Sequence, residues 1–230
     1  MEILNKEVKE ATKKKLDEEM EKKVTLLYFT QEPSRLILAE QYKAQECLFC
    51  KETKQLLEEV STLSEKIEPR VYDFVADKEK ASEYGIDKIP GISILGEKDY
   101  GIKFYGIPSG YEYTSLIEAI VDVSRGKTNL NQKTKDSLMA LDKDIHIQIF
   151  VTPTCPYCTI AVRLGHQFAL ESSHIKADMI ESTEFPHLAQ KYNIFSVPKT
   201  IINETITIEG AVPEEIFLEN VLKAINLPKA

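Results

Sequence analysis

Hydrophobic positions along the chain follow strand and helix periods in turn. Isoleucines at 145, 147 and 149 alternate with polar residues and are followed by Phe150 and Val151, which predicts a strand, whereas Ile160, Leu164 and Phe168 recur at helical spacing. In the later part of the chain these patterns predict a short helix at 131–141 capped by Asn131, a strand at 145–151, a helix to about 172, a strand at 175–180, a helix at 184–192, two short strands flanking 203–204, and a helix from about 213. In the earlier part they predict strands at 24–30, 70–75, 91–95 and 101–105, and helices at 50–67, 78–84 and 111–125.

Three landmarks recur at one offset. Cys47-Leu48-Phe49-Cys50 and Cys155-Pro156-Tyr157-Cys158 lie 108 residues apart, as do Ile89-Pro90 and Val197-Pro198, and a Tyr-x-Ile triplet at 84 and 192. A shared offset is the mark of an internal repeat. We therefore predict an α/β protein made of two copies of one domain, each with the order β-α-β-α-β-β-α. The polar stretch 126–131 places the boundary between a first domain, residues 1–127, and a second, residues 128–230.

The first copy carries an insertion. Cys47 follows Phe29 by 18 residues, while Cys155 follows the equivalent Phe150 by 5, so about 13 extra residues lie within 31–46. Apolar residues between 34 and 43 predict a short additional helix beside the first cysteine pair. A lid, a partner surface and a tolerated surface insertion all remain open for this segment.

Composition is that of a folded domain protein. Of 230 residues, 43% are hydrophobic and 29% charged, and the net charge of −8 argues against a nucleic-acid partner. No apolar run approaches the roughly 20 residues that span a bilayer. Because no signal peptide is visible at the N-terminus, we expect a cytoplasmic protein with no membrane partner. Lysine outnumbers arginine 25 to 4 and glutamate reaches 27, a usage typical of hyperthermophiles.

All four cysteines belong to Cys-x-x-Cys pairs, each between a predicted strand and a predicted helix. A helix N-terminus favours thiolate over thiol at the first cysteine of such a pair. Cys155 would attack a partner disulfide and Cys158 would resolve the mixed disulfide, with Cys47 and Cys50 in the same roles at the first site. No Asp or Glu occurs at 152–160, so we expect no acid to oppose the thiolate.

A proline follows the second cysteine of each pair by 40 residues, at the start of the third strand. If the Ile89–Pro90 and Val197–Pro198 peptides were cis, their backbone would lie against the sulfurs and offer a partner peptide a short pairing edge. Pro156 suits the first helical turn, and Tyr157 is expected at the rim of Cys155. These residues are the predicted substrate contacts.

Two other uses of the cysteines stay open. Four thiolates could hold a structural zinc ion, although about 104 residues separate the pairs, against 15–20 in typical zinc ribbons. Structural disulfides are the second alternative. We predict no metal ligand elsewhere, because the four histidines show no ligand spacing and no neighbouring Asp, and no Gly-rich phosphate loop is present.

The strand–CPYC–helix–Val-Pro order is similar to that of the thioredoxin and glutaredoxin superfamily. Over nearly its full length, including the segment 99–110, the chain resembles the protein disulfide oxidoreductases of hyperthermophiles. The resemblance implies two tandem thioredoxin-like folds, each a central mixed sheet flanked by helices, with redox-active disulfides and no other cofactor. It also implies protein disulfide and dithiol substrates, cell redox homeostasis as the setting, and a thioredoxin-reductase-like flavoenzyme as reductant.

Some family features are missing. The buried acid of thioredoxins precedes the Cys-x-x-Cys, but Tyr28 and Ile149 stand at the equivalent positions. The Gly-Gly pair with which glutaredoxins bind glutathione is Gly210-Ala211 here. Proton transfer at Cys158 must therefore use another group or water, and glutathione is not the expected reductant.

The predicted function is that of an enzyme, a thiol–disulfide oxidoreductase that reduces, oxidises or isomerises protein disulfides, with Cys155 as the main nucleophile. A dedicated dithiol carrier that supplies electrons to a peroxiredoxin is the alternative within the same class. A non-catalytic protein stabilised by disulfides or zinc is the alternative from a different class. Direction, substrate and oligomeric state do not follow from the sequence, because potentials of Cys-x-x-Cys proteins span roughly −270 to −120 mV.

Overall fold

A computed structural model describes residues 2–31 and 47–225. Its elements, in chain order, are α1 (Lys6–Glu19), β1 (Val24–Thr30), α2 (Cys50–Ser61), β2 (Ile67–Asp73), α3 (Lys78–Glu83), β3 (Gly91–Leu95), β4 (Asp99–Tyr105), α4 (Glu112–Arg125), α5 (Gln132–Met139), β5 (Ile145–Val151), α6 (Cys158–Glu171), β6 (Ile175–Glu181), α7 (Pro186–Lys191), β7 (Lys199–Ile202), β8 (Ile206–Glu209) and α8 (Glu214–Ile225). The predicted repeat of element order is present, so the α/β fold class is confirmed.

The strands form a single mixed sheet in the order β2-β1-β3-β4-β6-β5-β7-β8. Strands β1 to β4 come from the first copy and β5 to β8 from the second, and the two groups meet where β4 pairs in parallel with β6. We call this pairing, Ile102–Ala177 through Tyr105–Ile180, the joint. The sequence predicts a sheet in each copy but not their union. An unpaired β4 would expose a row of backbone donors and acceptors, and the joint removes that edge from both copies.

Alternation along the strands separates two hydrophobic layers. Leu26 and Tyr28 of β1 belong to the larger layer, which packs under α1, α2, α4, α5, α6 and α8, whereas Leu27 and Phe29 face the smaller layer under α3 and α7. Successive side chains of a strand point to opposite faces, so one strand contributes to both layers. The helices that begin at Cys50 and Cys158 lie on the larger layer.

Local sequence sets the helix ends. Asn131 caps α5 as predicted, its side chain accepting a hydrogen bond from Thr134 N at 2.8 Å. Asn5 caps α1 in the same way at 2.9 Å from Val8 N. Gly126 ends α4 in the left-handed region at φ 62°, a conformation that glycine adopts without steric cost. The change of element after this glycine agrees with the proposed domain boundary at 127/128, which stays a prediction.

Three element predictions need correction. The helix predicted to reach residue 67 ends at Ser61, and strand β2 begins at Ile67 rather than at residue 70. Exposed residues fill most of β2, an edge strand, so its hydrophobic pattern is weak. Helix α1 is missing from the predicted elements because only Thr12 and Leu16 of it are fully buried. The helix predicted within the insertion lies outside the described residues.

Helices also cross the joint. Helix α4 of the first copy packs against α6 of the second, where Asp122 accepts a hydrogen bond from Gln167 Nε2 at 2.9 Å and Arg163 bridges to Glu118 at 2.9 Å. Beneath them the fully buried Phe104 ring of β4 lies 4.8 Å, between ring centroids, from His166 of α6. Burial lowers the pKa of His166 to about 4, so this ring is neutral and packs as an aromatic group. The two copies thus share one core.

Phe104→Ala should lower the free energy of unfolding by about 3–5 kcal/mol, because it leaves a cavity in the shared core. Guanidinium denaturation followed by circular dichroism measures the loss. The control Met139→Ala removes an exposed side chain and should change stability by less than about 0.5 kcal/mol. A loss below about 1 kcal/mol for Phe104→Ala would contradict a shared core.

Candidate functional site

Both cysteine pairs lie at the same edge of the sheet. Strands β1, β4, β6 and β5 run in one direction, and Cys47 and Cys155 follow the carboxyl ends of β1 and β5. Four strand spacings separate β1 from β5 in the sheet. At about 4.8 Å each, the two pairs stand about 19 Å apart.

The second pair has the geometry of an attacking and a resolving thiol. Cys155 is partly exposed and Cys158 fully buried, and both are free thiols. The Cys155 Sγ donates a hydrogen bond to the Val197 carbonyl at 3.6 Å. The Val197–Pro198 peptide is cis, so the backbone before this proline lies against the more exposed sulfur, as the repeated proline predicts.

The first pair is closed as a disulfide between Cys47 and Cys50. Cys50 is buried and begins α2. The Tyr28 hydroxyl donates a hydrogen bond to the Cys50 carbonyl at 2.5 Å, so this tyrosine contacts the helix that carries the pair. Residues 32–46, which precede this pair in the chain, lie outside the described ranges.

The two prolines have matching surroundings. The Ile89–Pro90 peptide is cis like Val197–Pro198. The Pro90 carbonyl accepts a hydrogen bond from Gly106 N at 3.0 Å, and the Pro198 carbonyl accepts one from Gly210 N at 2.8 Å. Each site therefore holds its proline with a glycine that follows the next strand.

Exposed apolar side chains adjoin Cys155 and Val197 in the chain. Tyr157, predicted at the rim, is 66% exposed beside an exposed Pro156. Phe195, two residues before Val197, is 92% exposed, and the sequence analysis missed it. The sequence feature that could have indicated Phe195 is its position as an aromatic residue directly before the Ser-Val-Pro segment. Apolar groups left in water next to a reactive sulfur suit contact with an unfolded or extended polypeptide.

A buried acid from the first copy acts on the second pair. Glu112 lies in the first turn of α4, is 1% exposed, and neither carboxylate oxygen has a hydrogen-bond partner among the described residues. Burial raises the pKa of Glu112 to about 7. Burial also raises the pKa of the Cys158 thiol above its ordinary value, and Cys155 and the Glu112 charge raise it further.

The chain brings Glu112 to this position through a contact between loops. Tyr111 N donates a hydrogen bond to the Pro153 carbonyl at 2.9 Å, directly before the second pair. Gly110 adopts φ +60°, and a Cβ there would stand 2.3 Å from the Pro153 oxygen. The expectation that no acid lies near this pair is therefore wrong for Cys158, because the acid is distant in sequence and reaches the pair across the joint.

A second acid, the half-buried Glu184, follows the carboxyl end of β6. Burial raises the pKa of Glu184 to about 7, and Glu181 and Glu52 add to the effect. Its Oε1 accepts a hydrogen bond from Ile107 N at 2.6 Å. Glu52 lies in the first turn of α2, two residues after Cys50.

A shared zinc site for all four cysteines does not fit this arrangement. The pairs stand about 19 Å apart along the sheet edge, whereas a tetrahedral ion binds its sulfurs at about 2.3 Å. Within residues 2–31 and 47–225 no group of three or more His, Cys, Asp or Glu residues could hold a metal ion. The same ranges contain no helix long and apolar enough to cross a membrane.

The histidine prediction also needs correction. His146 Nε2 lies 2.6 Å from Asp178 Oδ2, and His174 Nδ1 lies 3.0 Å from Asp144 Oδ1. The partner of His146 is 32 residues away in the chain and reaches it across neighbouring strands. An aspartate therefore does orient two of the four histidines.

Comparison with known proteins agrees with the geometry. The thioredoxin domain family matches residues 145–223. The crystal structure of a protein disulfide oxidoreductase from Aeropyrum pernix K1 is 28% identical, with a TM-score of 0.85, and covers 100% of this chain and 99% of that one. The N-terminal domain of the alkylhydroperoxide reductase AhpF from Enterococcus faecalis V583 is 28% identical, with a TM-score of 0.83 over 95% of this chain and 99% of that one.

Curated relatives are longer than this chain. The AhpF protein of alkyl hydroperoxide reductase in Staphylococcus aureus is 30% identical, and an NADH dehydrogenase of Bacillus subtilis strain 168 is 28% identical, each over 155 residues. The matches cover 66% of this chain and 28% of each relative, so the chain matches little more than a quarter of their length. Together the comparisons confirm the predicted resemblance to thioredoxin-fold redox proteins and support thiol–disulfide exchange as the class of activity.

Glu112→Gln should change how stability depends on pH. The folded-state pKa of about 7 lies above the ordinary value of 4.5, so the buried carboxylate opposes folding as pH rises from about 4.5 to 7 and opposes it fully above 7. The glutamine variant does not lose stability in this way. Between pH 4 and pH 8 its free energy of unfolding should therefore rise by up to about 3 kcal/mol relative to that of the wild type. Urea denaturation at both pH values measures it, with Glu215→Gln, at an exposed position of α8, as control. An unchanged difference between the two pH values would show that Glu112 does not titrate while buried.

Proposed function

We propose that this chain, a thioredoxin-fold redox protein, is a thiol–disulfide oxidoreductase that exchanges electrons with protein disulfides mainly through Cys155 and Cys158. The observation that carries this proposal is the contact of the partly exposed Cys155 sulfur with the carbonyl before a cis-proline, above a fully buried Cys158. The Cys155 sulfur is accessible to a partner protein, whereas the Cys158 sulfur is accessible only to Cys155.

The steps follow from this arrangement. The Cys155 thiolate attacks a substrate disulfide, forming a mixed disulfide and releasing one substrate thiolate, which takes up a proton. The Cys158 thiol then loses its proton and attacks Cys155 Sγ, and the second substrate thiolate leaves. The dithiol supplies two electrons in total and becomes the Cys155–Cys158 disulfide, while the substrate disulfide becomes two thiols.

Glu112 is the proposed acceptor of the Cys158 proton. A buried thiol whose pKa is raised cannot ionise readily without a base. The Glu112 carboxyl group is buried and has no hydrogen-bond partner in the described ranges. Its pKa is about 7, close to neutral pH. It would serve where the thioredoxins use an acid from the preceding strand.

Substrate contacts belong to the same proposal. Val197 would pair its backbone with an extended substrate segment, while Pro156, Tyr157 and Phe195 would contact apolar side chains beside the disulfide. Ile89 and Pro90 would have the equivalent role at the first site. A protein rather than a small thiol is the expected substrate, since the exposed apolar rim is wider than a single sulfur needs.

A carrier role is the second candidate. The relatives named for alkyl hydroperoxide reductase and NADH dehydrogenase favour a chain that passes electrons between a reductase and a peroxide-reducing partner. The reductant in either case would be a thioredoxin-reductase-like flavoenzyme. A cytoplasmic location and a thermophilic source are part of the proposal.

Reduction of insulin disulfides by dithiothreitol tests the assignment. Cys155→Ser should reduce the rate to that of dithiothreitol alone, because a serine hydroxyl cannot replace the thiolate. Cys47→Ser should retain most of the activity. Equal partial losses would instead show two independent sites, and an inactive wild type would favour structural cysteines. Faster oxidation of the reduced protein by a peroxiredoxin disulfide than by insulin would favour the carrier role.

A pH profile tests Glu112 separately. In a Cys47→Ser/Cys50→Ser background, the rate at which Cys158 resolves the mixed disulfide should rise as pH passes 7, where Glu112 ionises. Glu112→Gln should remove that rise and slow resolution by about 100-fold, the lower range of general base catalysis. Stopped-flow measurement from pH 5 to 9 gives both quantities, and Glu215→Gln, at an exposed position of α8, is the control. A glutamine variant with the wild-type profile would exclude Glu112 as the base.

A further inference from the structure

A cavity lies on the face of the sheet opposite the helices that begin at Cys50 and Cys158. It has a volume of about 440 Å³ and lies at the joint, over strands β4, β6 and β5. Lys103 and Tyr105 of β4 share the face of the smaller hydrophobic layer, and both line it. His146 at the start of β5 lines it too, whereas Cys155 follows the opposite end of that strand. We call this space the joint cavity.

Every aspartate of the joint cavity already contacts a basic side chain. The pairs are Asp87 with Lys88 at 2.5 Å, Asp144 with His174 at 3.0 Å, and Asp178 with His146 at 2.6 Å. In the described residues the two lysines of the lining, Lys103 and Lys176, form no ion pair, although Asp178 stands opposite Lys103 on the neighbouring strand.

Lys103 is the buried member of these lysines. The residue is 3% exposed, and its ammonium forms no hydrogen bond or ion pair with any described residue. Its Nζ lies close to Gly85, since a Cβ built on that glycine would stand 3.5 Å from Nζ, an ordinary contact distance. Lysine is almost never fully buried unless it is paired, because transfer of its charge out of water is costly.

Asp178 provides an unused acceptor beside it. This residue is also 3% exposed and stands opposite Lys103 in the β4·β6 register. Its Oδ2 contacts His146, but its Oδ1 has no hydrogen-bond partner among the described residues. Burial opposes ionisation of Asp178, but the hydrogen bond with His146 and the nearby Lys103 charge lower its pKa, so Oδ1 belongs to a carboxylate and needs a donor. A buried cation and a buried acceptor thus stand side by side on adjacent strands.

We propose that the joint cavity binds a small molecule that carries a phosphate or carboxylate group and, next to it, a hydroxyl or amino donor. Lys103 would bind the oxyanion, with Lys176 at the lining as a second cation, and Asp178 Oδ1 would accept the donor. Water could satisfy the acceptor, but only an anion would bring a negative charge into direct contact with the Lys103 ammonium. The volume of about 440 Å³ falls within the range of about 300–1,000 Å³ that small-molecule sites occupy.

Calorimetric titration of the full chain tests the proposal with three probes. Inorganic phosphate offers the oxyanion alone, glycerol 3-phosphate adds hydroxyl donors, and glycerate replaces phosphate by carboxylate. We expect saturable binding of one molecule per chain, tighter for glycerol 3-phosphate than for phosphate; comparison with glycerate identifies the preferred oxyanion. Lys103→Met should weaken binding at least about tenfold, because a hydrogen bond to a charged group is lost. Lys133→Gln, an exposed lysine on α5, should bind as the wild type does.

Amide chemical shifts of the unaltered protein make the test independent of whether the Lys103 variant folds. Addition of glycerol 3-phosphate should move the signals of Gly85, Lys103 and Asp178 more than those near Cys155. Dissociation constants weaker than about 1 mM for all three probes, shift changes located elsewhere, or equal binding by Lys103→Met would overturn the proposal. Binding is measured without any disulfide substrate. Absence of binding would therefore leave the proposed redox function unaffected, and absence of redox activity would leave the binding proposal unaffected.

Discussion

The parallel pairing of β4 with β6 is the interaction on which the rest of the structure depends. Four residue pairs along this joint turn two four-stranded sheets into one sheet of eight. Because both copies enter it with the same strand direction, both cysteine pairs emerge at one edge. The joint also packs α4 against α6. Glu112 of the first copy, in the first turn of α4, therefore lies close enough to the buried Cys158 thiol of the second for its charge to raise the pKa of that thiol.

Local sequence was enough to predict the elements and the cysteine sites. The predicted bounds of β1 and β5 are those observed, Asn131 caps its helix, and both repeated prolines follow cis peptide bonds. The errors occur where local hydrophobicity is weak, at the exposed strand β2 and the mostly solvated helix α1. In these places burial by other parts of the chain decides the structure, and no short pattern records it.

Contacts across the joint were beyond reach for a related reason. Glu112 lies 46 residues from Cys158, and Asp178 lies 32 from His146. The sequence around each residue shows only a charged group at a helix or strand position, typical of a surface. Which strand edges meet is a non-local property. The sequence pattern therefore predicted a second site with no nearby acid and histidines with no aspartate partner. In the structure Glu112 affects Cys158, and Asp178 contacts His146.

Gly110 and its neighbours have a consequence for how such a protein can change over generations. The first copy touches the loop of the second pair at a point where a side chain on Gly110 would collide with the Pro153 backbone. A duplicated domain would ordinarily be free to lose one copy. Here deletion of the first copy would also take away the acid beside Cys158 and uncover an edge of the remaining sheet. Recombination between the two repeats, which would leave a single unit, would therefore produce a chemically different protein.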